Sequence, residues 1–173
     1  MIMDYLKRYM SPVGELTLQS DGEALTGLWI EGQRYFPEGL EGKTAELPAF
    51  SAAVRWLDLY FSGSVPDFLP PLRLEGTAFR KRVWSKLLEI PYGCVRTYGE
   101  IARGIAREDG RKTWSAQAAG GAVGHNPVSI IVPCHRVLGS DGSLTGYAGG
   151  IDKKLWLLRH EGAKIQSQMA GQP

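Results

Sequence analysis

Between Ser64 and Leu72 the chain carries Pro66, Pro70 and Pro71. A segment this rich in proline continues neither a helix nor the interior of a sheet, because each proline lacks the backbone N–H that both ladders require. It therefore reads as an extended connection, and we expect two blocks around it, residues 1–70 and 71–173. At 173 residues the chain is long enough for two small cores. The blocks also differ in charge: residues 1–70 hold five Lys/Arg against ten Asp/Glu, and the remainder holds fifteen against eight. Only the second block is basic, which points to a polyanion partner for that half.

The first block reads as strands over Tyr5 to Met10, Gly14 to Gln19 and Ala24 to Ile30. Turn residues Ser11, Pro12, Asp21 and Gly22 separate them, and Glu15, Leu16, Thr17 and Leu18 alternate as a half-buried strand does. A small antiparallel sheet follows. Pro48 then opens a helix with Phe50, Val54, Leu57 and Phe61 at helical spacing, ending at Ser62 and Gly63, which we expect to cover the sheet.

In the second block Thr77 is placed to cap a helix whose apolar face is Phe79, Val83, Trp84, Leu87 and Leu88, stopped by Pro91, Tyr92 and Gly93. Thr97 with Glu100 three residues on forms a capping-box pattern for the next helix. Another helix starts near Ser115 and is rich in small residues. Two short helices joined by a basic, loop-like stretch from Arg103 to Lys112 are compatible with a helix-turn-helix. No apolar run approaches the roughly 20 residues a bilayer-spanning helix needs. The start Met1, Ile2, Met3, Asp4, Tyr5 shows no export leader, so the expectation is a cytoplasmic protein with no membrane partner.

The two cysteines, Cys94 and Cys134, are too few for a disulfide framework, and neither has zinc-ligand spacing. We expect no metal and no cofactor. The most informative stretch is Ile130, Ile131, Val132, Pro133, Cys134, His135, Arg136, Val137. An apolar run with the look of a buried strand end breaks at a proline and delivers a thiol, an imidazole and a guanidinium together. Reactive polar groups at such a place are costly unless used. A thiol near pKa 8.5 is about a few per cent thiolate at neutral pH, so an imidazole able to take its proton raises the available nucleophile.

Around this stretch stand Gly120, Gly121, Ala122, Val123, Gly124, His125, Asn126 and Pro127 before it, and Thr145, Gly146, Tyr147, Ala148, Gly149 and Gly150 after it. Trp156, Leu157, Leu158, Arg159, His160 and Glu161 complete the series. Taken in order over about the last 100 residues, these motifs closely resemble the O6-alkylguanine-DNA alkyltransferases. The resemblance implies an α+β protein. Its N-terminal antiparallel sheet with covering helix would be ribonuclease H-like. Its C-terminal domain would be mostly helical and winged-helix-like, with a helix-turn-helix and an active-site turn.

It also implies roles. Cys134 matches the alkyl acceptor, His135 its activating neighbour through a water, and Glu161 the carboxylate that orients the histidine and, by its charge, would favour imidazolium. Asn126 matches the asparagine that braces the active-site turn, and Tyr98 the phenol that assists the departing guanine. Val123, Val137, Tyr147, Ala148 and Gly149 would line the base pocket. Ser115, Ala116, Gln117, Ala118 and Gly120 of the second helix, with Arg111, Lys112 and Arg136, would face DNA. The implied partner is double-stranded DNA held from the minor groove, with alkylguanine flipped out of the stack and a monomeric protein.

Gln117 stands where many of the family carry an arginine that wedges into the base stack; glutamine fills the gap without a guanidinium's charge or planar stacking. The alternatives are a non-catalytic alkyltransferase-like lesion binder, which would lack the acceptor cysteine, and a simple helix-turn-helix regulator, which would have no use for the Pro133 to Arg136 turn.

Overall fold

The computed structural model describes residues 3–165. They fall into two compact units: the chain up to Glu75 with Pro127–Ile131, and Gly76–Asn126 with the chain from Val132 onward. Among the described residues no helix is long and apolar enough to cross a membrane.

In the first unit, β1 (Tyr5–Ser11), β2 (Gly14–Ser20) and β3 (Leu25–Ile30) form an antiparallel sheet in that order. Leu18 sits opposite Lys7 on one side and Leu28 on the other. Leu16, Leu18, Leu28 and Ile30 are fully buried, as the alternation requires. Helix α1 (Pro48–Phe61) packs across all three strands through Phe50, Ala53, Trp56, Leu57 and Tyr60. Val54 and Phe61, read from spacing as part of that face, lie half-buried at its margin. Gly27 is required in β3, because a Cβ there would meet the Trp29 ring at 2.0 Å.

The proline-rich segment ends on this sheet. Leu25 N–H donates to the Pro71 carbonyl at 2.7 Å and Arg73 N–H to the Leu25 carbonyl at 3.0 Å. Farther along β3, Leu28 N–H donates to the Pro127 carbonyl and Ser129 N–H to the Leu28 carbonyl, both at 2.9 Å. Two short segments distant in sequence thus occupy the free edge of β3, an edge that would otherwise present unpaired backbone groups.

The second unit holds α2 (Ala78–Leu88), β4 (Arg96–Thr97), α3 (Tyr98–Glu108), α4 (Ala116–Gly124), a 3-10 turn (Cys134–Arg136), β5 (Val137–Leu138) and α5 (Ile151–His160). Thr77 caps α2, and the Thr97–Glu100 capping box opens α3 in both directions. Trp84, 1% exposed, lies at the centre and donates from Nε1 to the Ala122 carbonyl at 2.8 Å, tying α2 to α4. Strands β4 and β5 pair in parallel, Arg96 with Val137 and Thr97 with Leu138, which brings the start of α3 beside the end of the 3-10 turn.

The basic stretch read as a loop from Arg103 to Lys112 is helical as far as Glu108. Ile101, Ala102, Ile105 and Ala106 make a continuous buried stripe, and Gly104 in their midst is tolerated because tertiary packing outweighs its propensity. The turn joining α3 to α4 is pinned. Trp114 packs on Phe79 with ring centroids 4.6 Å apart, its Nε1 donates to Asp109 at 3.0 Å, and the Arg111 guanidinium lies 4.0 Å over its ring.

Candidate active site

Cys134 is delivered by two tight backbone reversals rather than by a strand end. Ile131 N–H donates to the Ser129 carbonyl at 2.8 Å across Ile130, whose φ is 72°. A β-branched residue in the left-handed region is strained, and its surroundings must hold it there. Cys134 N–H then donates to the Val132 carbonyl at 2.8 Å across Pro133 (φ −82°, ψ 65°), an inverse γ-turn for which proline is preset. The expected strand end is corrected accordingly: the apolar run is buried, but as turns. Asn126 Nδ2 donates to the Val132 carbonyl at 2.8 Å and so braces the second reversal.

In a 3-10 helix successive side chains diverge by roughly 120°. The thiol of Cys134, the ring of His135 and the guanidinium of Arg136 therefore leave the turn in different directions. The ring and the guanidinium both reach Glu161, the C-cap of α5. Glu161 accepts from His135 Nε2 at 2.6 Å and from Arg136 Nε at 2.8 Å and Nη2 at 3.2 Å. It also accepts from Gly93 N–H at 3.0 Å. Gly93 has φ 79°, and a Cβ on it would stand 3.2 Å from the Glu161 carbonyl oxygen, so the loop after α2 reaches the carboxylate only with glycine here. Arg136 Nη1 donates to the Ile90 carbonyl at 2.7 Å.

Arg136 was expected to face DNA. It is 7% exposed and committed to Glu161 and Ile90, so it takes no part in a DNA surface. It acts instead as the counter-ion of a buried carboxylate.

Burial opposes ionisation of Glu161, yet the hydrogen bond from His135 and the hydrogen bonds and charge of Arg136 hold it well below the usual carboxylate range. His135 shifts the other way from the sequence expectation. Full burial pushes its pKa down, and Arg136 and Lys154 add to that, against the opposing pull of Glu161. Since Arg136 already balances Glu161, an imidazolium would be a surplus buried charge. The ring is neutral at rest, with Nε2–H fixed on Glu161, and Nδ1 is the nitrogen with the free lone pair. That Nδ1 is buried and meets no hydrogen-bonding group among the described residues.

The Cys134 thiol, 5% exposed, is pushed up by burial; the Asn126 amide, the Lys154 charge and the backbone N–H groups of residues 134 and 135 act in the opposite sense. The resting site is therefore a neutral thiol beside a neutral base, surrounded by groups that favour a thiolate once it forms.

Tyr98, the first residue of α3, donates to the carbonyls of Thr145 at 3.0 Å and Gly146 at 3.3 Å. Burial and the nearby Cys134 push its hydroxyl up to about 12. The Tyr147 hydroxyl is buried, and burial, with the charges of Cys134 and Glu161, pushes it well above the usual phenol range. Ala148 and Gly149 are half-buried in the turn closed by Gly150 N–H on the Tyr147 carbonyl at 2.9 Å. Val123 and Val137 are buried, at 4% and 0% exposure. At the start of α4, Ser115, Ala116 and Gln117 are exposed and Ala118 and Gly120 half-buried; Arg111 and Lys112 before it are exposed. Ser115 caps α4 by accepting from Ala118 N–H at 2.9 Å.

Sequence reasoning missed three contributors: Ile90 and Gly93, which support the Arg136–Glu161 pair from the loop after α2, and Lys154. Lys154 is fully buried in α5 and donates from Nζ to the same carbonyls as Tyr98, Thr145 at 3.0 Å and Gly146 at 3.4 Å. Burial lowers its pKa to about 8, opposed by Cys134.

Fold and site together define a class: a sheet-and-helix unit joined to a helix-turn-helix unit that holds a buried Cys–His–carboxylate set. The 6-O-methylguanine DNA methyltransferase ribonuclease-like domain matches residues 5–74, and the DNA binding domain of the same name matches residues 78–163. The methylated-DNA--protein-cysteine methyltransferase of Haemophilus influenzae is 45% identical over 158 residues, covering 91% of this chain and 86% of that protein. The protein of that name from Mycobacterium tuberculosis is 46% identical over 159 residues, covering 92% and 93%. The crystal structure of Mycobacterium tuberculosis OGT in complex with DNA superposes with a TM-score of 0.80 at 46% identity, over 91% of this chain and 92% of that one. An O6-methylguanine-DNA methyltransferase from the archaeon Pyrococcus kodakaraensis superposes at 0.58 and 27% identity. The chain belongs to the 6-O-methylguanine DNA methyltransferase family.

Proposed function

We propose that this protein repairs DNA by moving an alkyl group from O6 of guanine onto Sγ of Cys134, once per molecule and without turnover. The observation that carries the reading is the His135 Nε2 to Glu161 Oε2 hydrogen bond of 2.6 Å, fully buried, one residue from the thiol. It fixes the tautomer in which Nδ1 is basic, as a nucleophile, base and orienter set requires.

In the reaction the thiol proton passes to His135 Nδ1 through a water. The sulfur attacks the alkyl carbon, the S–C bond forms and the C–O6 bond breaks. Guanine leaves with its developing negative charge stabilised by the Tyr98 hydroxyl. Asn126, Lys154 and the backbone N–H groups of the turn stabilise the thiolate as it forms. The transient imidazolium is tolerated because Glu161 is ionised beside it. The product is a thioether, which has no easy route back, so the protein is consumed.

The substrate is double-stranded DNA bound through α4 from the minor groove, with the alkylated base rotated out of the stack, since the alkyl carbon is inaccessible within a duplex. Val123, Val137 and the Tyr147, Ala148 and Gly149 turn receive the base. Gln117 occupies the space it leaves, and Arg111 and Lys112 bind the backbone. We take the protein to be monomeric and cytoplasmic, with the unit that runs to Glu75, five residues past the boundary expected from sequence, as a structural domain and the unit that begins at Gly76 as the DNA-binding and acceptor domain.

The test is to incubate the protein with an O6-methylguanine duplex and weigh the intact chain. A gain of one methylene, mapped to Cys134 and absent from Cys134→Ala, is the expected result. Tight lesion binding with no gain in mass would instead make the protein a lesion binder.

A further inference from the structure

Two donors hold the same two carbonyls. The Tyr98 hydroxyl and the Lys154 ammonium both bind the oxygens of Thr145 and Gly146, at 3.0 and 3.3 Å from Tyr98 and 3.0 and 3.4 Å from Lys154. The lysine approaches from α5 and the tyrosine from α3, and Nζ lies 5.8 Å from the centre of the phenol ring. Each carbonyl oxygen has two lone pairs, so the double arrangement is chemically complete. It is also expensive, because Lys154 is fully buried and no salt bridge joins it to a carboxylate among the described residues. A buried cation without a carboxylate partner is rarely kept for packing alone.

The duplication has a use if Tyr98 must leave. In the resting protein its hydroxyl proton is committed to Thr145 and Gly146, so it is unavailable to a purine. Were Tyr98 the sole protein donor, turning it toward a base would release both carbonyls of this exposed turn to water and leave the turn untied. We propose that Lys154 is the positioning residue of this site: it keeps the Thr145 and Gly146 carbonyls bound, and the turn leading to Tyr147 in place, while the Tyr98 hydroxyl transfers from them to the departing guanine. Lys154 reaches the turn from the first half of α5, one helical turn after Gly150, whose carbonyl accepts from Lys154 N–H at 3.1 Å. The anchor therefore rests on a rigid element and does not move with the phenol. This inference rests on the role given to Tyr98 above.

A double-mutant cycle tests it, with single-turnover methyl transfer from an O6-methylguanine duplex at saturating DNA as the readout. Lys154→Met keeps the side chain's length and removes its donors. It should lower the transfer rate constant by about 10- to 100-fold, the worth of one charge-assisted hydrogen bond that holds the turn, while changing the Kd for duplex less than about threefold. Lys154→Arg, which retains donors and charge, should recover most of the rate. In a Tyr98→Phe background there is no hydroxyl to hand over, and Lys154→Met should cost only what its charge gives the thiolate, a factor at least about threefold smaller than in the wild-type background. If Lys154→Met does not fold, Lys154→Leu replaces it in the same cycle. Equal factors in both backgrounds would show that the lysine acts independently of Tyr98 and would overturn the proposal alone. A Tyr98→Phe protein as fast as the wild type would remove the role of Tyr98 itself, and this inference with it.

Discussion

Glu161→Gln separates stability from chemistry at one atom. The substitution preserves size but replaces an acceptor-only carboxylate with an amide. His135 Nε2, Arg136 Nε and Nη2, and Gly93 N–H all donate to that carboxylate within 3.2 Å. Arg136, 7% exposed, is left without its counter-charge. Breaking a buried pair from one side costs about 3 to 5 kcal/mol, and in a chain of this size each kcal/mol moves Tm by about 2 to 4 °C, so a fall of roughly 10 °C is expected by calorimetry. Removing the guanidinium as well, in Arg136→Met/Glu161→Gln, takes away the uncompensated charge. What remains is the Ile90 carbonyl that Arg136 Nη1 satisfied at 2.7 Å, worth about 1 to 3 kcal/mol when stranded. The double variant should therefore regain about 2 kcal/mol over the single one. Its rate of methyl transfer should not recover, because both proteins lack the carboxylate charge that stabilises the imidazolium, and each should remain about a hundredfold or more below wild type. A double variant no more stable than Glu161→Gln would refute the counter-ion account of Arg136. A double variant that regains the rate would refute the orienting account of Glu161.

Three further outcomes follow from the same geometry. A methyl group added to Cys134, whose residue is 5% exposed, overpacks its surroundings, so the methylated protein should melt with about 1 to 3 kcal/mol less stability; an unchanged Tm would contradict the packing described. Lys154 has its pKa lowered to about 8 in the fold against about 10.4 when unfolded. Between those values the unfolded chain holds the proton and the folded one does not, so the lysine's contribution to stability rises with pH. Wild type should gain up to about 3 kcal/mol relative to Lys154→Met from pH 8 to 10.5, read by urea unfolding, and a flat difference would count against the burial of its charge. Replacing both Arg111 and Lys112 by alanine should weaken duplex binding at low salt and flatten the slope of log K against log salt by about 1.8. An unchanged slope would take the turn between α3 and α4 out of the DNA surface.

Helices α1 and α2 were legible from spacing because each meets its core through one stripe of its own sequence, and the starts of α3 and α4 from their caps; the second half of α3, read as a loop, was not. Thr77, Thr97 and Ser115 announce their helices by the same chemistry that the folded caps use. The segments that pair with β3 carried no such signal. Residues 71–73 and 127–129 bind it through backbone groups, which any side chain permits. For the same reason the left-handed Ile130 is invisible in sequence, where isoleucine argues for extended chain. Arg136 was misread because a guanidinium beside a reactive cysteine suits DNA as well as it suits a buried carboxylate. Only the position of Glu161, 26 residues on from His135, decides between them.

Lys154 hid for a different reason. Beside Lys153, and in a helix that also carries Asp152 and Arg159, it reads as solvated charge. Its phase says otherwise. Lys154, Leu157, Leu158 and Glu161 recur at intervals of three and four, the spacing of one helix face, and all four are buried. A charge that keeps step with an apolar stripe must enter the core with it. Here both charges on that face reach the chemistry: Glu161 through His135, Lys154 through the turn that Tyr98 also holds. One rigid helix thus sets the spacing between the group that orients the base and the group that anchors the turn. A slip of α5 by a single residue would remove both together.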